Sequence, residues 1–207
     1  ARRLPIGQTT FEFYRSITHL HLSNLKLRSP ALEHLRLCPS LSTLYVYGNE
    51  LTTLAGLSGL RQLAHVYAQD NLLEELGCEA SPSLESMLAG GNRLARVSGL
   101  HNASGMRELR LGGQRPASLA GNIHKTPLEL ERESLGGLSS SLRVLDLSDC
   151  GVGDGALAPL VVLRRLERLD LSRNALSGTD ELRELLLRLP LILSLQVDSN
   201  PLCSKLR

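Results

Sequence analysis

The sequence predicts an α/β solenoid, with a curved parallel sheet on its concave face and 3₁₀ turns and short helices on its convex face. Three observations predict this class. One leucine-rich pattern recurs eight times along the 207 residues, about every 21 to 26 residues with one longer gap. The centre of each copy has the spacing of a short strand. The chain contains two Phe, four Tyr and no Trp, so its core has to be aliphatic.

The repeated pattern reads Leu-x-x-Leu-x-Leu-x-x-Asn-x-Leu, with Ile or Met at the first position of three copies. A pattern of this form at a fixed period is the signature of leucine-rich repeats, whose coils stack and bury a continuous core. Each copy therefore predicts one coil of the solenoid. The copies begin at Ile17, Leu41, Leu63, Leu84, Met106, Leu142, Leu166 and Ile192.

The middle of each copy predicts a β-strand. Its fourth and sixth positions are apolar and flank one variable residue, which is the period of two expected for a strand with one buried face. The residues between and beside these apolar positions then point away from the core. We expect them to form the concave surface, where a solenoid usually binds its partner.

The ninth position of each copy predicts the turn that follows the strand. An asparagine amide there can hydrogen-bond backbone groups that the turn leaves unpaired. Five copies are expected to form a structural asparagine ladder, made of Asn49, Asn71, Asn92, Asn174 and Asn200. In the other three copies the position is occupied by Leu25, Gln114 and Cys150.

The second half of each copy predicts the convex side. Apolar residues spaced by three favour 3₁₀ or irregular turns, as in the run Leu51, Leu54, Leu57 and Leu60. Three segments are longer and combine spacings of three and four, which predicts true helices. These segments are 28–38, 153–163 and 179–189.

Three parts of the chain depart from the regular repeat. Residues 1–16 precede the first copy and predict a helical N-terminal capping segment, with Thr9 or Thr10 as its N-cap. Residues 116–141 form an insertion that predicts a loop and then a short helix, either packed on the repeats or serving as a docking element. The repeat domain, 17–207, is expected to end in a truncated C-terminal cap.

Charge and cysteine content argue against several classes of function. The chain carries 23 basic and 21 acidic residues, and this near balance argues against nucleic acid or a membrane surface as the partner. Its cysteines lack the close ligand pairs of a structural zinc site. We expect reduced thiols in a cytoplasmic protein; the alternative is that the last one begins a disulfide-bonded cap. They are Cys38, Cys78, Cys150 and Cys203.

The sequence contains no recognisable catalytic motif. It lacks the nucleophile elbow G-x-S-x-G, the phosphate loop G-x-x-x-x-G-K-[ST], the zinc motif H-E-x-x-H and the dinucleotide motif G-x-G-x-x-G. We therefore predict a non-enzymatic protein without cofactors, monomeric by itself.

The outward-pointing strand residues form the predicted protein-binding face. Tyrosine and arginine are enriched at binding hot spots, and three neighbouring tyrosines on an open sheet favour a protein partner over bulk water. The alternative is that tyrosine simply suits a strand and is half-covered by its neighbours. The face is aromatic and histidine-rich near the N-terminus and charged farther on, and it comprises His19, His21, Tyr45, Tyr47, His65, Tyr67, Gln69, Arg110, Asp146, Arg168 and Asp170.

A metal site is a competing explanation for the histidines and aspartates. His19 and His21 face the same side, but His65 is two strands away, which is roughly 10 Å at the usual strand spacing and too far for shared coordination. The aspartates lack the spacing of an EF-hand calcium loop. We therefore expect no metal and assign the acidic side chains to contacts with a basic surface of the partner.

The repeats resemble those of a known family, the Sds22-like leucine-rich repeat regulatory subunits of protein phosphatase 1. Both the short repeat form L-x-x-L-x-L-x-x-N-x-L-x-x-L-x-x-L-x-x-L and the break after the fifth copy are similar. The similar stretches are Ile17–Leu22 (ITHLHL), Leu41–Asn49 (LSTLYVYGN), Leu88–Leu100 (LAGGNRLARVSGL), Met106–Gln114 (MRELRLGGQ) and Asp198–Cys203 (DSNPLC).

This resemblance implies a regulatory or scaffold subunit that contacts the protein phosphatase 1 catalytic subunit in the cytoplasm, at the cytoskeleton, centrosome or cilium. One alternative is an adaptor like the axonemal dynein light chain, which would contact tubulin or a dynein motor. Another is an enzyme inhibitor in the style of the ribonuclease inhibitor, which would require a strongly basic partner.

Overall fold

The structure, a computed structural model, describes residues 9–76, 82–115 and 127–205. Within these residues, eight short strands form one parallel sheet, and 3₁₀ turns and short helices form the opposite side of the repeats. This arrangement confirms the predicted α/β solenoid. The strands follow one another in chain order across the sheet, as they must when each repeat contributes one coil.

Ten strands are present in the described part of the chain, and eight of them form the main sheet. The strands β5 and β7 pair separately as a two-stranded parallel sheet. The ten are β1 (His19–His21), β2 (Thr43–Tyr45), β3 (His65–Tyr67), β4 (Ser86–Leu88), β5 (Arg96–Val97), β6 (Glu108–Arg110), β7 (Glu129–Leu130), β8 (Val144–Asp146), β9 (Arg168–Asp170) and β10 (Ser194–Gln196).

The core is a continuous aliphatic column. The middle residue of each inner strand of the main sheet is at most 1% exposed, as in Leu109. The end strands have a neighbour on one side only, so their middle residues, Leu20 and Leu195, are half-buried. None of the Phe or Tyr side chains is buried. Leucine, with some Val, Met, Ala and Cys, therefore supplies the apolar burial that holds the repeats together.

An N-terminal helix, α1 (Thr10–Ser16), precedes the first strand and packs beside the 3₁₀ segment Ser29–Leu37. Thr9 and Glu12 form a capping box, in which each side chain accepts a hydrogen bond from the other residue's backbone N–H (2.9 and 3.2 Å). The bond from the Thr9 backbone lowers the pKa of Glu12. None of the helix residues is buried, and Phe11 is 62% exposed. The capping role of 1–16 stays a prediction.

The convex side contains both 3₁₀ and α-helical segments. The predicted helix at 179–189 is the α-helix α3 (Asp180–Arg188). The segments at 28–38 and 153–163 are instead 3₁₀ turns, at Ser29–Leu37, Asp154–Ala156 and Ala158–Val162. The spacing of the buried leucines explains the difference. It is three residues in and beside the 3₁₀ segments, from Leu32 to Leu35 and from Leu157 to Leu160. Along α3 and its C-cap it is three and then four, where Leu182, Leu185 and Leu189 are buried.

Residues 127–138 complete the fifth repeat. Like the second halves of the other repeats, they bury apolar side chains in the core. The buried leucines are Leu128, Leu130, Leu135 and Leu138. β7 pairs with β5 of the fourth repeat, and the expected short helix follows as α2 (Arg132–Gly136). The predicted loop falls on 116–126, outside the described residues. A fourth helix, α4 (Leu202–Lys205), lies at the C-terminal end.

Candidate protein-binding face

Asparagine side chains hold the turn after the strand in five repeats. Asn49 donates from Nδ2 to the carbonyl of Leu22 in the preceding repeat and to that of Val46 in its own, at 2.8 Å each. Its Oδ1 accepts from the N–H of Leu25 at 2.9 Å. Each side chain thus ties two consecutive coils together and fixes their spacing. Equivalent bonds are made by Asn71, Asn92, Asn174 and Asn200.

Glutamine and cysteine take over part of this role at two of the remaining positions. Gln114 is fully buried, donates to the carbonyl of Ala89 at 2.9 Å and accepts from the N–H of Leu94 at 2.9 Å. Cys150 donates from its thiol to the carbonyl of Leu111 at 3.4 Å. The longer amide of glutamine therefore continues the ladder into the repeat with the longer coil.

The concave face is built from the first and third residues of the main-sheet strands. The strands pair in one register, so equivalent residues of successive repeats form two straight rows. The first row is His19, Thr43, His65, Ser86, Glu108, Val144, Arg168 and Ser194. The second row is His21, Tyr45, Tyr67, Leu88, Arg110, Asp146, Asp170 and Gln196.

Three rings at the N-terminal end of the second row form a stacked column. The rings of His21 and Tyr45 lie 4.1 Å apart between centroids, and those of Tyr45 and Tyr67 lie 4.6 Å apart, each pair within 7° of parallel. Each such contact contributes about 0.5–1.5 kcal/mol beyond area burial. His21 is exposed and both tyrosines are half-buried, because the rings cover one another. The column is therefore a preordered aromatic surface that still faces solvent.

A third row follows the strands, at Ser23, Tyr47 and Gln69. Tyr47 is 40% exposed and adds a further tyrosine beside the stacked column. Ser23 and Gln69 have the same position in the first and third repeats. Their side-chain oxygens, Oγ and Oε1, are buried and make no hydrogen bond in the described part of the chain. An unpaired buried polar atom costs about 1–3 kcal/mol. Both atoms are enclosed by the chain itself, so Tyr47 is the accessible contact group of this row.

The C-terminal half of the face carries charges that are largely engaged within the sheet. Asp146 accepts a hydrogen bond from the N–H of Ser148 at 2.9 Å, and Asp170 accepts one from Ser172 at 2.8 Å. Arg110 pairs with Glu108 at 2.5 Å, whereas Arg168 is exposed. The aspartates thus close the strand ends, a role that sequence reasoning missed. The signal was the recurrence of Asp-Leu-Ser in consecutive repeats.

The histidines of the first row lie two strands apart, with Thr43 between His19 and His65. Among the described residues, no group of three or more His, Cys, Asp or Glu side chains is arranged to hold a metal ion. Cys38 is a buried free thiol, and burial raises its pKa. Cys203 is half-buried and free. Cys78 lies outside the described residues.

No helix in the described part of the chain is long and apolar enough to cross a lipid bilayer. The helices there are α1 to α4, of which the longest has nine residues. A bilayer-spanning helix needs about 20.

Comparison with known proteins supports the repeat fold. A family model described as Leucine Rich repeat matches residues 138–161. The fold is similar to internalin C2 from Listeria monocytogenes, with a TM-score of 0.68, 20% sequence identity, and coverage of 93% of this chain and 76% of that one. It is also similar to TLR13, solved as a complex with ssRNA13, with a TM-score of 0.58, 18% identity, and coverage of 90% and 24%.

A search of curated protein sequences found no significant match. Likeness at these identities shows the fold alone, which is that of a leucine-rich repeat solenoid. Proteins with this fold are typically non-enzymatic scaffolds for binding other proteins.

Proposed function

We propose that this chain is a non-enzymatic module that binds a protein partner through its concave face. The stacked column of His21, Tyr45 and Tyr67 carries the proposal. Stacked side chains on a hydrogen-bonded sheet lose little conformational freedom when a partner arrives, so association is less costly. Tyr47 is 40% exposed and extends the contact surface beside the column.

We propose the protein phosphatase 1 catalytic subunit as the partner, with this chain as its regulatory or scaffold subunit at the centrosome or cilium. This step depends on the resemblance of the short repeats to the Sds22-like family, within which the testis leucine-rich repeat regulatory subunit is the most similar in motif. The alternative is an adaptor like the axonemal dynein light chain, with tubulin or a motor as partner. The aromatic column would serve either partner.

RNA is a less favourable partner for this face, although TLR13 was solved with a single-stranded RNA. Binding a phosphate backbone requires a continuous basic groove. Here Asp146 and Asp170 lie in the same row as Arg110, and the whole chain has a net charge of only +2. These charges suit a protein surface that presents both signs.

A binding experiment with matched variants tests the concave face. Tagged wild type, Tyr45→Ala/Tyr67→Ala and the control Phe11→Ala/Tyr14→Ala are incubated with purified phosphatase catalytic subunit and, separately, with tubulin. The control removes two exposed aromatic side chains of α1, which packs beside the 3₁₀ segment Ser29–Leu37. We expect the control to bind like wild type and the concave variant to bind at least about tenfold more weakly.

Each outcome of this experiment decides a different part of the proposal. If wild type binds tubulin and ignores the phosphatase, the regulatory assignment is replaced by the adaptor. If wild type binds the phosphatase and the concave variant does so equally well, the partner is right and the face is wrong.

A further inference from the structure

A groove of about 530 Å³ lies on the convex side, between the 3₁₀ segments of the sixth repeat and α3 of the seventh. This volume is within the range of about 300–1,000 Å³ that binding sites usually have. The groove has an apolar floor formed by Leu157, Val161 and Leu185. The wall opposite α3 is low, because it is formed by Gly155 and Ala158. Leu157 and Leu185 are each 1% exposed, so the accessible apolar surface of the groove comes from half-buried Val161 and exposed Ala158.

The rim of this groove is acidic. Asp180, Glu181 and Glu184 line it from α3, and all three are exposed. None of them makes an ion pair in the part of the chain that the structure describes. With Asp154 there are four carboxylates against the guanidinium of Arg188, a formal charge of 4 negative minus 1 positive, or −3. A cationic ligand would be attracted to this rim.

The four carboxylates around the groove differ in their structural roles. Asp154 has a structural task, since its carboxylate accepts hydrogen bonds from the N–H groups of Ser177 and Gly178 at 3.1 Å. The three α3 carboxylates have no such task among the described contacts. Leu187 follows Glu184 by three residues, which places it next to that carboxylate on the helix surface, and it is 75% exposed. The helix thus presents carboxylates and an exposed leucine together.

We propose that this convex groove docks a basic amphipathic segment of a partner protein. Leucine-like side chains of the segment would cover Val161, Ala158 and Leu187, and its lysine or arginine side chains would pair with the three carboxylates of α3. A helix that lays its apolar face into a groove while its charges meet the rim is a common mode of peptide recognition. The groove is on the side opposite the concave face, so both surfaces can be occupied at once.

Fluorescence anisotropy with a model peptide tests this site. The probe is a fluorescein-labelled amphipathic helix built only from leucine and lysine, and a leucine–glutamate helix serves as the charge-reversed control. Wild type is compared with Glu181→Gln/Glu184→Gln and with Glu33→Gln/Glu133→Gln, which removes two exposed carboxylates from other convex elements. We expect the groove variant to raise the Kd at least about tenfold, with the control within about twofold of wild type.

A second variant separates the groove itself from its charge. Ala158 is exposed at the low wall, so Ala158→Phe should fill the groove without disturbing the core, and we expect it to weaken binding to a similar extent. Far-ultraviolet circular dichroism verifies that each variant is folded. The proposal is overturned if the leucine–lysine peptide does not bind wild type, or if it binds the groove and control variants equally. It is also overturned if Tyr45→Ala/Tyr67→Ala abolishes binding, because the peptide would then occupy the concave face.

Discussion

Asn92 illustrates how one side chain connects two repeats. It is 1% exposed, donates to the carbonyls of Ala68 and Ala89 at 3.0 and 2.9 Å, and accepts from the N–H of Leu73 at 3.0 Å. All three partners are backbone groups in buried hydrogen bonds. The asparagine therefore acts as part of the backbone hydrogen-bond network of the stack.

Replacing this asparagine should be costly. We expect Asn92→Ala to lower the free energy of unfolding by about 2–4 kcal/mol, because it leaves buried donors and acceptors unpaired. Urea denaturation followed by circular dichroism measures the loss. Asn102→Ala, at an exposed asparagine whose side chain makes no described hydrogen bond, is the matched control and should change stability by less than about 0.5 kcal/mol. Equal effects of the two substitutions would contradict the role of the ladder.

Two adjacent glycines offer an equally sharp comparison. A Cβ at Gly137 would lie 2.5 Å from the carbonyl oxygen of Leu100, whereas a Cβ at Gly136 would meet nothing within 4 Å. We expect Gly137→Ala to destabilise the chain by about 1–3 kcal/mol through overpacking. Gly136→Ala lies in α2 and should be neutral or stabilising by up to about 1 kcal/mol. Thermal unfolding of both variants measures this, and a reversed order would refute the close approach.

At the residue scale, some side-chain roles can be predicted from the sequence and others cannot. The asparagine positions are predictable because each one follows a strand at a fixed distance and only an amide offers both donor and acceptor there. The bond from Ser148 N–H to Asp146 is not apparent from one copy, since an outward aspartate suits solvent equally well. Recurrence of the same tripeptide in the next repeat is the only hint.

At the scale of the elements, the register of the sheet determines which side chains meet. Tyr45 and Tyr67 have the same position in consecutive repeats, so their adjacency follows from the sequence. Their parallel stacking does not, because it depends on side-chain rotamers that the alternation of apolar residues leaves undetermined. The same limit applies to the convex segments, because the apolar spacing alone did not determine which leucines are buried and hence whether a segment is 3₁₀ or α-helical.

The central ring of the aromatic column should contribute most to its stability. Tyr45 takes part in two stacked pairs and Tyr67 in one. We expect Tyr45→Ala to lower the free energy of unfolding by about 1–3 kcal/mol, more than Tyr67→Ala, because two contacts are lost. Tyr45→Phe keeps both ring contacts and should stay within about 0.5 kcal/mol of wild type. Urea titrations of the three variants decide the order, and an effect of Tyr67→Ala as large as that of Tyr45→Ala would contradict it.

At the scale of the whole molecule, stability comes from contacts between neighbouring repeats. Inner coils have neighbours on both sides, while β1 and β10 each have one. The exposure of the central strand residues follows this difference, because Leu20 and Leu195 are half-buried whereas Leu109 is fully buried. A solenoid of this kind is held together by nearest-neighbour interfaces, so the position of a residue along the stack determines its importance.

Equivalent leucines at the middle and the end of the sheet should therefore differ in importance. Leu109 is fully buried in β6, and Leu109→Ala should lower the free energy of unfolding by about 2–5 kcal/mol. Leu195 has the same place in β10 but is half-buried, and Leu195→Ala should cost clearly less. Guanidinium denaturation of the two variants provides the comparison. Equal losses would indicate that the stack does not behave as a chain of pairwise interfaces.

Most of the architecture follows from the sequence, because the repeat pattern specifies the coils and the strand order, and the scarcity of aromatic residues specifies an aliphatic core. The completion of the fifth repeat by 127–138 does not follow, since it requires residues after an irregular stretch to return to the stack. The convex groove could not be predicted from the sequence either, because it lies between two repeats whose second halves differ in helix type.

The aliphatic interior has a practical consequence for the spectroscopy of this protein. The chain has no tryptophan, and three of its four tyrosines, Tyr45, Tyr47 and Tyr67, sit on the second and third coils of the concave face. Intrinsic ultraviolet emission therefore originates mainly from the surface that we assign to the partner. Binding of a tryptophan-free ligand to this face would change that emission directly, so binding could be followed by fluorescence without a label.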